Sequence, residues 1–237
     1  MTMRTKGFLG SASALALLAA AGCMHRGMTT AQQAATVTQA AASGFRILDL
    51  TAFRGYETME VPSGWTVVGN EITKSRGTGD IMTKDQFANF ELELEWKIGK
   101  GGNSGIFYRA TKEYDHIYWS GPEYQLLDDA NAGDGKSPST SAASAYGLYP
   151  PPRGVVKPAD EWNTTRIVVK GAHVEHWLNG QRVVEYELWS PDWKAKVAAS
   201  KLNDWPNYGL AKRGYIGIQG DHNGTLSIRN VRIRELP

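Results

Sequence analysis

The stretch FELELEWKI constrains this chain more than any other. Phe90, Leu92, Leu94, Trp96 and Ile98 alternate with Glu91, Glu93, Glu95 and Lys97, a period of two that suits a half-buried strand and no helix. Similar runs follow at short intervals: SGIFYRA, EYQLLDD, TRIVVKG, HVEHWLNG, RVVEYEL, GYIGIQG and TLSIRNVRIREL. Asn179-Gly180, within LNGQRVV, is a hairpin-turn signal between two of them. Only SPDWKAKVAASKLND reads as helix, with Ser190 as N-cap and Pro191 at the first helical position. Many short strands, frequent turns and one short helix in a late loop predict an all-β fold, an antiparallel β-sandwich.

The N-terminus reads as a targeting device. Arg4 and Lys6 precede the apolar FLGSASALALLAAAG, which is too short to span a bilayer, and Cys23 follows Ala20-Ala21-Gly22. That ending resembles a bacterial lipobox, although Ala20 stands where leucine is usual. The alternative is an ordinary signal peptide with an incidental cysteine. The expected organisation is a lipoprotein-type signal peptide over 1–22, a tether over 23–43 rich in Ala, Gln and Thr, and one β domain over 44–237. The mature chain is then exported and lipid-anchored to a bacterial membrane through Cys23, facing the periplasm or the cell exterior. With a single cysteine there is no intrachain disulfide, so the core must hold the domain together. A net charge of +2 leaves no basic footprint for nucleic acid. The prominence of Trp and Tyr suits carbohydrate, whose apolar faces stack on rings.

Several residues are candidates for chemistry. Strand alternation puts Phe107 and Arg109 on one face of SGIFYRA, and Glu123 and Gln125 on one face of PEYQLLDD. A dry face carrying Glu and Gln would be costly, so this face reads as a wet cleft floor with Arg109 as a partner for Glu123. The competing explanation is a structural ion pair on a solvated sheet face. In GIQGDHNG, Gln219 leaves a strand and Asp221 and His222 occupy the turn, where His beside Asp suits an oriented base or a metal ligand. His176 reads as a buried, hydrogen-bonded histidine; His116 and His173 read as surface residues. DDANAGDG begins like a calcium loop at Asp129, Asn131 and Asp134, but Thr140 stands where the closing Glu is needed. No HExxH, phosphate loop or GxSxG is present.

GNSGIFYR, EYQLLDD, EWNTTRIVVKG, HWLNG, ASKLNDWPNYG and GYIGIQGDHNGTLSIRNVRIREL occur in that order. Together they make the chain resemble the 3-keto-disaccharide hydrolase family from roughly Phe45 to Leu236. The opening ILDLTAFRGYETMEVPSGWTVVGNEIT fits as well, with TAFRGYE in place of the usual Asn-Gly turn. The resemblance implies a concanavalin-like jelly roll acting on sugars already oxidised at C3. A C3 ketone acidifies the C2 proton; a base removes it, the C1 oxygen leaves, and water adds to the enone. This needs one base, an electrophile for the enolate oxygen and an acid for the leaving group.

On that reading His222, or else Glu123, is the base, and Arg109 or a divalent metal holds the enolate oxygen. Asn103, Gln125, Gln219 and Asp221 bind sugar hydroxyls. Trp119, Trp193 and Trp205 are candidate stacking residues. A metal (magnesium, manganese, zinc or calcium) would take ligands from Glu123, Gln125, Asp128 and His222, with Asp128 on the opposite strand face unless a bulge turns it. An oxidoreductase would supply the keto substrate. The rival is a non-catalytic carbohydrate-binding module of the same sandwich class, which has little use for Glu123, Arg109 and His222 together.

Overall fold

A computed structural model describes residues 43–237. The expected signal peptide, Cys23 and nearly all of the tether lie outside the described residues. No helix among the described residues is long and apolar enough to cross a membrane.

Two antiparallel sheets form a β-sandwich. The larger contains β1 (Arg46–Ile47), β3 (Thr66–Val68), β4 (Glu71–Lys74), β6 (Phe90–Ile98), β9 (Asn163–Lys170), β10 (His173–Leu178), β11 (Gln181–Glu187) and β13 (Leu226–Glu235). Its order is β11-β10-β9-β6-β13-β4-β3, with β1 also on β13. The smaller contains β2 (Phe53–Gly55), β5 (Ile81–Thr83), β7 (Asn103–Ala110), β8 (Glu123–Leu127) and β12 (Tyr215–Ile218), in the order β2-β5-β12-β7-β8. The alternation in β6 behaves as the sequence requires: Leu92, Leu94 and Trp96 are buried in the core, while Glu93, Glu95 and Lys97 remain partly exposed. Asn179 and Gly180 both take positive φ (50° and 81°), the backbone of a two-residue hairpin joining β10 to β11. The helix α1 spans Pro191–Ala198 with Ser190 capping it through Trp193 N. It stops short of the stretch read as helical because Ser200 caps a separate 3-10 turn, Lys201–Asp204.

The core between the sheets carries a polar chain inside its apolar packing. Trp96 Nε1 donates to Thr165 Oγ1 (2.9 Å), Thr165 to Tyr124 OH (2.8 Å), and Tyr124 to Trp177 O (3.2 Å). Tyr108 OH meets both His176 Nε2 and Tyr186 OH, and His176 Nδ1 meets Ala143 O (3.0 Å). His176 is thus the buried, hydrogen-bonded histidine expected, and burial holds it down at about 4, so it stays neutral at physiological pH.

Register shifts interrupt the pairing in three places, between β10 and β11 at His176/Trp177, in β13 and in β7. In β13 three residues, Asn230 to Arg232, span the interval covered by two on β6, and Asn230 takes φ 53°. The shift keeps Arg229, Arg232 and Arg234 on one outward face, opposite Glu95, Glu93 and Glu91. In β7 the same event falls between Phe107 and Ala110, opposite Gly217 and Tyr215 of β12, with Arg109 at φ 51°. The extra residue swings Arg109 off the face it would share with Phe107. Its guanidinium, 2% exposed as a residue, donates to Ala88 O (2.6 and 2.8 Å) and Gly171 O (2.8 Å), and lies over the Trp189 ring. The expected pairing of Arg109 with Glu123 is therefore corrected: Arg109 ties the loop before β6 to the β9–β10 turn.

This role predicts that Arg109→Met leaves the Ala88 and Gly171 carbonyls without a donor. The unfolding free energy should drop by on the order of 2–4 kcal/mol, measured by urea titration. No change would contradict a structural role for the guanidinium.

Candidate active site

The smaller sheet buries both faces of β8. Tyr124 and Leu126 point into the sandwich core, while Glu123 and Gln125 point outward, as strand alternation requires. Half of that outer face is a satellite apolar cluster of Tyr56, Met82, Phe107, Ala110 and Ile117. The other half is the floor of a polar cavity of about 310 Å³. Asn103 of β7, Glu123 and Gln125 of β8 and Gln219, just beyond β12, make the floor; Asp221 and His222 come from the β12–β13 turn. Loops supply the remaining wall: Tyr118, Asp134, Tyr146, Lys201 and Trp205.

Glu123 sits where a side chain on the neighbouring strand would forbid it. A Cβ on Gly105 would stand 2.0 Å from Glu123 Oε1 and 2.7 Å from its Cδ. A glycine in the middle of β7 weakens the strand but opens the slot the carboxyl occupies. Gln125, with its amide turned to satisfy both ends, donates to Glu123 Oε1 (3.0 Å) and Ser104 O (3.2 Å). Burial pushes the Glu123 carboxyl up to about 8. The Lys201 ammonium pulls the other way, and Asp134, Asp80 and Asp221 push it further up. Lys201 also donates to Tyr146 OH (3.2 Å) and lies over the Tyr146 and Trp205 rings. Asn103 Nδ2 donates to Asp134 Oδ2 (3.2 Å). Gln219 Oε1 is buried without a hydrogen-bond partner in the protein, an acceptor held ready for a donor from a ligand. His222 is half exposed, its Nδ1 3.8 Å from Asp221 Oδ1.

The fold thus brings Asn103, Glu123, Gln125, Gln219, Asp221 and His222 into one cavity, together with Trp205. Four expected residues stand apart. Arg109 is spent on loop carbonyls, as above. Trp119 ends a 3-10 turn and packs against His116, leaving its neighbour Tyr118 on the cavity wall. Asp128 accepts from Gly101 N (2.7 Å), Ala130 N (3.2 Å) and Asn131 Nδ2 (2.7 Å), so its carboxylate staples the loop after β8 and does not join Glu123 as a metal ligand. Trp193 is buried beneath α1 against Tyr208. Asp129 likewise serves its loop, accepting from Ala142 N (2.7 Å).

With Asp128 occupied by its own loop and outside the cavity lining, the hard-cation set expected from Glu123, Gln125, Asp128 and His222 is not assembled as a whole. Among the described residues, the group with metal-ligand spacing is His173, Glu175 and Glu185 on the outer face of the larger sheet. There Arg182 already pairs with both carboxylates. A second groove, about 440 Å³ on that face, is lined by Glu93, Glu95, Arg166, Trp177 and Arg232 among others. Its charges are self-paired: Glu93 with Arg232, Glu95 with Arg229, and Arg166 stacked on Trp177.

Lys201, Tyr118, Tyr146 and Asp134, as cavity residues, escaped the sequence reading. They lie in loops, where no periodicity fixes direction. The one available signal for Lys201 was its place in the ASKLNDWPNYG segment.

The raised Glu123 value carries a stability prediction. The group ionises near its ordinary 4.5 when unfolded and near 8 when folded, so its contribution is fully present below 4.5 and lost as pH rises through about 8. Glu123→Gln removes that loss. Thermal melts should show the variant gaining on the parent protein steadily between about pH 4 and 8, then holding level. A constant offset over this range would contradict a neutral buried carboxyl.

Comparisons with known proteins agree with the fold. A family model described as a 3-keto-alpha-glucoside-1,2-lyase-like domain matches residues 46–234. A protein of Bacteroides thetaiotaomicron named 3-keto-disaccharide hydrolase is 38% identical over 217 residues, covering 78% of this chain and 74% of that one. Two solved structures from Parabacteroides distasonis, provisionally assigned as glycosyl hydrolases, superpose with TM-scores of 0.78 and 0.63. The first is 32% identical and covers 84% of this chain and 97% of its own; the second is 26% identical and covers 81% and 99%.

Proposed function

This chain belongs to the 3-keto-alpha-glucoside-1,2-lyase-like family, and from that membership and the cavity we propose that it cleaves the glycosidic bond of 3-keto sugars by elimination across C1 and C2. It is an enzyme of the hydrolase/lyase class, as the named relative is. The observation that carries the mechanism is a buried carboxyl, Glu123, on the floor of a cavity whose rim bears His222, where burial pushes its ionisation up to about 8.

His222 takes the proton from C2, which the adjacent C3 ketone makes acidic. The electron pair forms the C2=C3 enolate, and the Lys201 ammonium stabilises its oxygen, the part first given to Arg109. As the carbonyl re-forms, the C1–O bond breaks to give the 1,2-enone. Glu123, protonated below about pH 8, gives its proton to the departing oxygen and takes the part of acid rather than base. Water adds at C1 and a proton returns to C2 where the net reaction is hydrolysis. Gln219 Oε1, unpartnered within the protein, accepts from a sugar hydroxyl beside Asn103 and Gln125, while Trp205 and Tyr118 offer ring faces. Two carboxylates at glycosidase spacing are not required, since no oxocarbenium ion forms by this route. A binding module would gain nothing from burying a carboxyl at this cost in stability.

The substrate needs a prior oxidation of a C3 hydroxyl, so an oxidoreductase acts upstream. The lipobox-like ending at Cys23 supports export and membrane anchoring; Cys23→Ser should then shift the protein from the membrane to the soluble fraction. Retention in the membrane would argue against the thioether anchor.

A 3-keto-glucoside with a chromogenic leaving group should be cleaved, and its unoxidised counterpart left intact. Glu123→Gln and His222→Ala should each lower kcat by on the order of 10²–10⁴. Activity should fall as pH rises through about 8, where Glu123 ionises. Tight sugar binding with no turnover of either anomer would support the binding module instead.

A further inference from the structure

The strand β4 breaks its own pattern. Ile72 and Lys74 both face inward, so a lysine stands where the alternation asks for an apolar side chain. Lys74 is 1% exposed, a placement expensive for an ammonium unless its protons are used. They are used on the turn that carries His222: Nζ donates to His222 O (2.6 Å) and Gly224 O (3.4 Å). On the other side of the turn, Asp80 accepts from Gly220 N (2.6 Å) and from the Asp221 amide. Thr78 N adds a bond to Gly220 O (2.9 Å). A buried lysine and a half-buried aspartate thus grip one short turn by its backbone, Lys74 on its carbonyls and Asp80 on its amides.

We propose that Lys74 and Asp80 are positioning residues that hold the Gly220–Gly224 turn so that His222 faces the cavity. The proposal rests on His222 being the base at C2. Neither residue is among the cavity-lining side chains, so their effect passes through the turn. A hydrophobic residue at 74 would suit the strand better; the ammonium is retained for what it fixes at the rim. Displacing a reacting group by about 1 Å costs on the order of 10²-fold in rate, so a slack turn costs turnover while the floor residues still bind the sugar.

The test is a double-mutant cycle on the full chain, with kcat and KM measured on a chromogenic 3-keto-glucoside. Lys74→Met should lower kcat by on the order of 10–100-fold with KM within about twofold. In the His222→Ala background the same substitution should lower kcat no further, because the group it positions is gone. Full kcat in Lys74→Met, or an equal fold-loss in both backgrounds, would overturn the positioning role while leaving His222 as base. Unchanged kcat in His222→Ala alone would remove the base assignment, and the inference with it. Thermal melts establish first that Lys74→Met folds; if it does not, Asp80→Ala, which releases the amide side of the turn, enters the same cycle under the same criteria.

Discussion

Desolvation of one carboxyl organises this molecule. Glu123 lies on a sheet face that loops have covered, and burial is the largest of the influences that move its ionisation to about 8. Three features of the fold supply the covering. The sandwich core backs β8 through Tyr124 and Leu126, Gly105 leaves the slot into which the carboxyl fits, and the long connections after β8 and α1 bring Asp134, Tyr146, Lys201 and Trp205 over the top. Covering of this kind disfavours the ionised form of a carboxyl.

The charged groups divide by task. Arg109 and Asp128 are spent on loops, Arg109 on the segment before β6 and the β9–β10 turn, Asp128 on the connection after β8 that leads to Asp134 at the cavity wall. Lys201 keeps its ammonium at the cavity wall, against Tyr146 and Trp205. The Glu–Arg ladder on β6 and β13 is a partly solvated face whose pairs each contribute little. The carboxyl on the cavity floor is different in kind, since burial rather than an arginine partner dominates its ionisation. That contrast separates the catalytic reading from a sugar-binding surface more sharply than the fold can, because sandwiches of this type host both.

Much of the fold was legible because strand alternation is a strong signal. The runs from β6 to β13, the Asn179-Gly180 hairpin and the Ser190 cap all follow from local chemistry. So does the outward direction of Glu123 and Gln125. Alternation fails where a bulge intervenes, and the bulge in β7 is what turned Arg109 away from the cleft. The bulges in β7 and β13 do not announce themselves in sequence, since Arg109 and Asn230 hold positive φ without being glycines. Loop contributions were less legible still: Tyr118 instead of Trp119, and Lys201 instead of Arg109, depend on how irregular segments cross the sheet. Lys74 escaped the sequence reading, since a four-residue strand is too short to set a clear phase, and its target, the His222 carbonyl, lies far along the chain.

The central claim is that the first bond to break is C2–H and that this happens in the Glu123 cavity. Cleavage of a 3-keto-glucoside should therefore be compared with that of the same compound deuterated at C2, under conditions that report kcat/KM. The account predicts slower cleavage of the deuterated substrate and deuterium lost from C2 to solvent. Equal rates with C2 deuterium retained in the product would contradict it and point to direct displacement at C1.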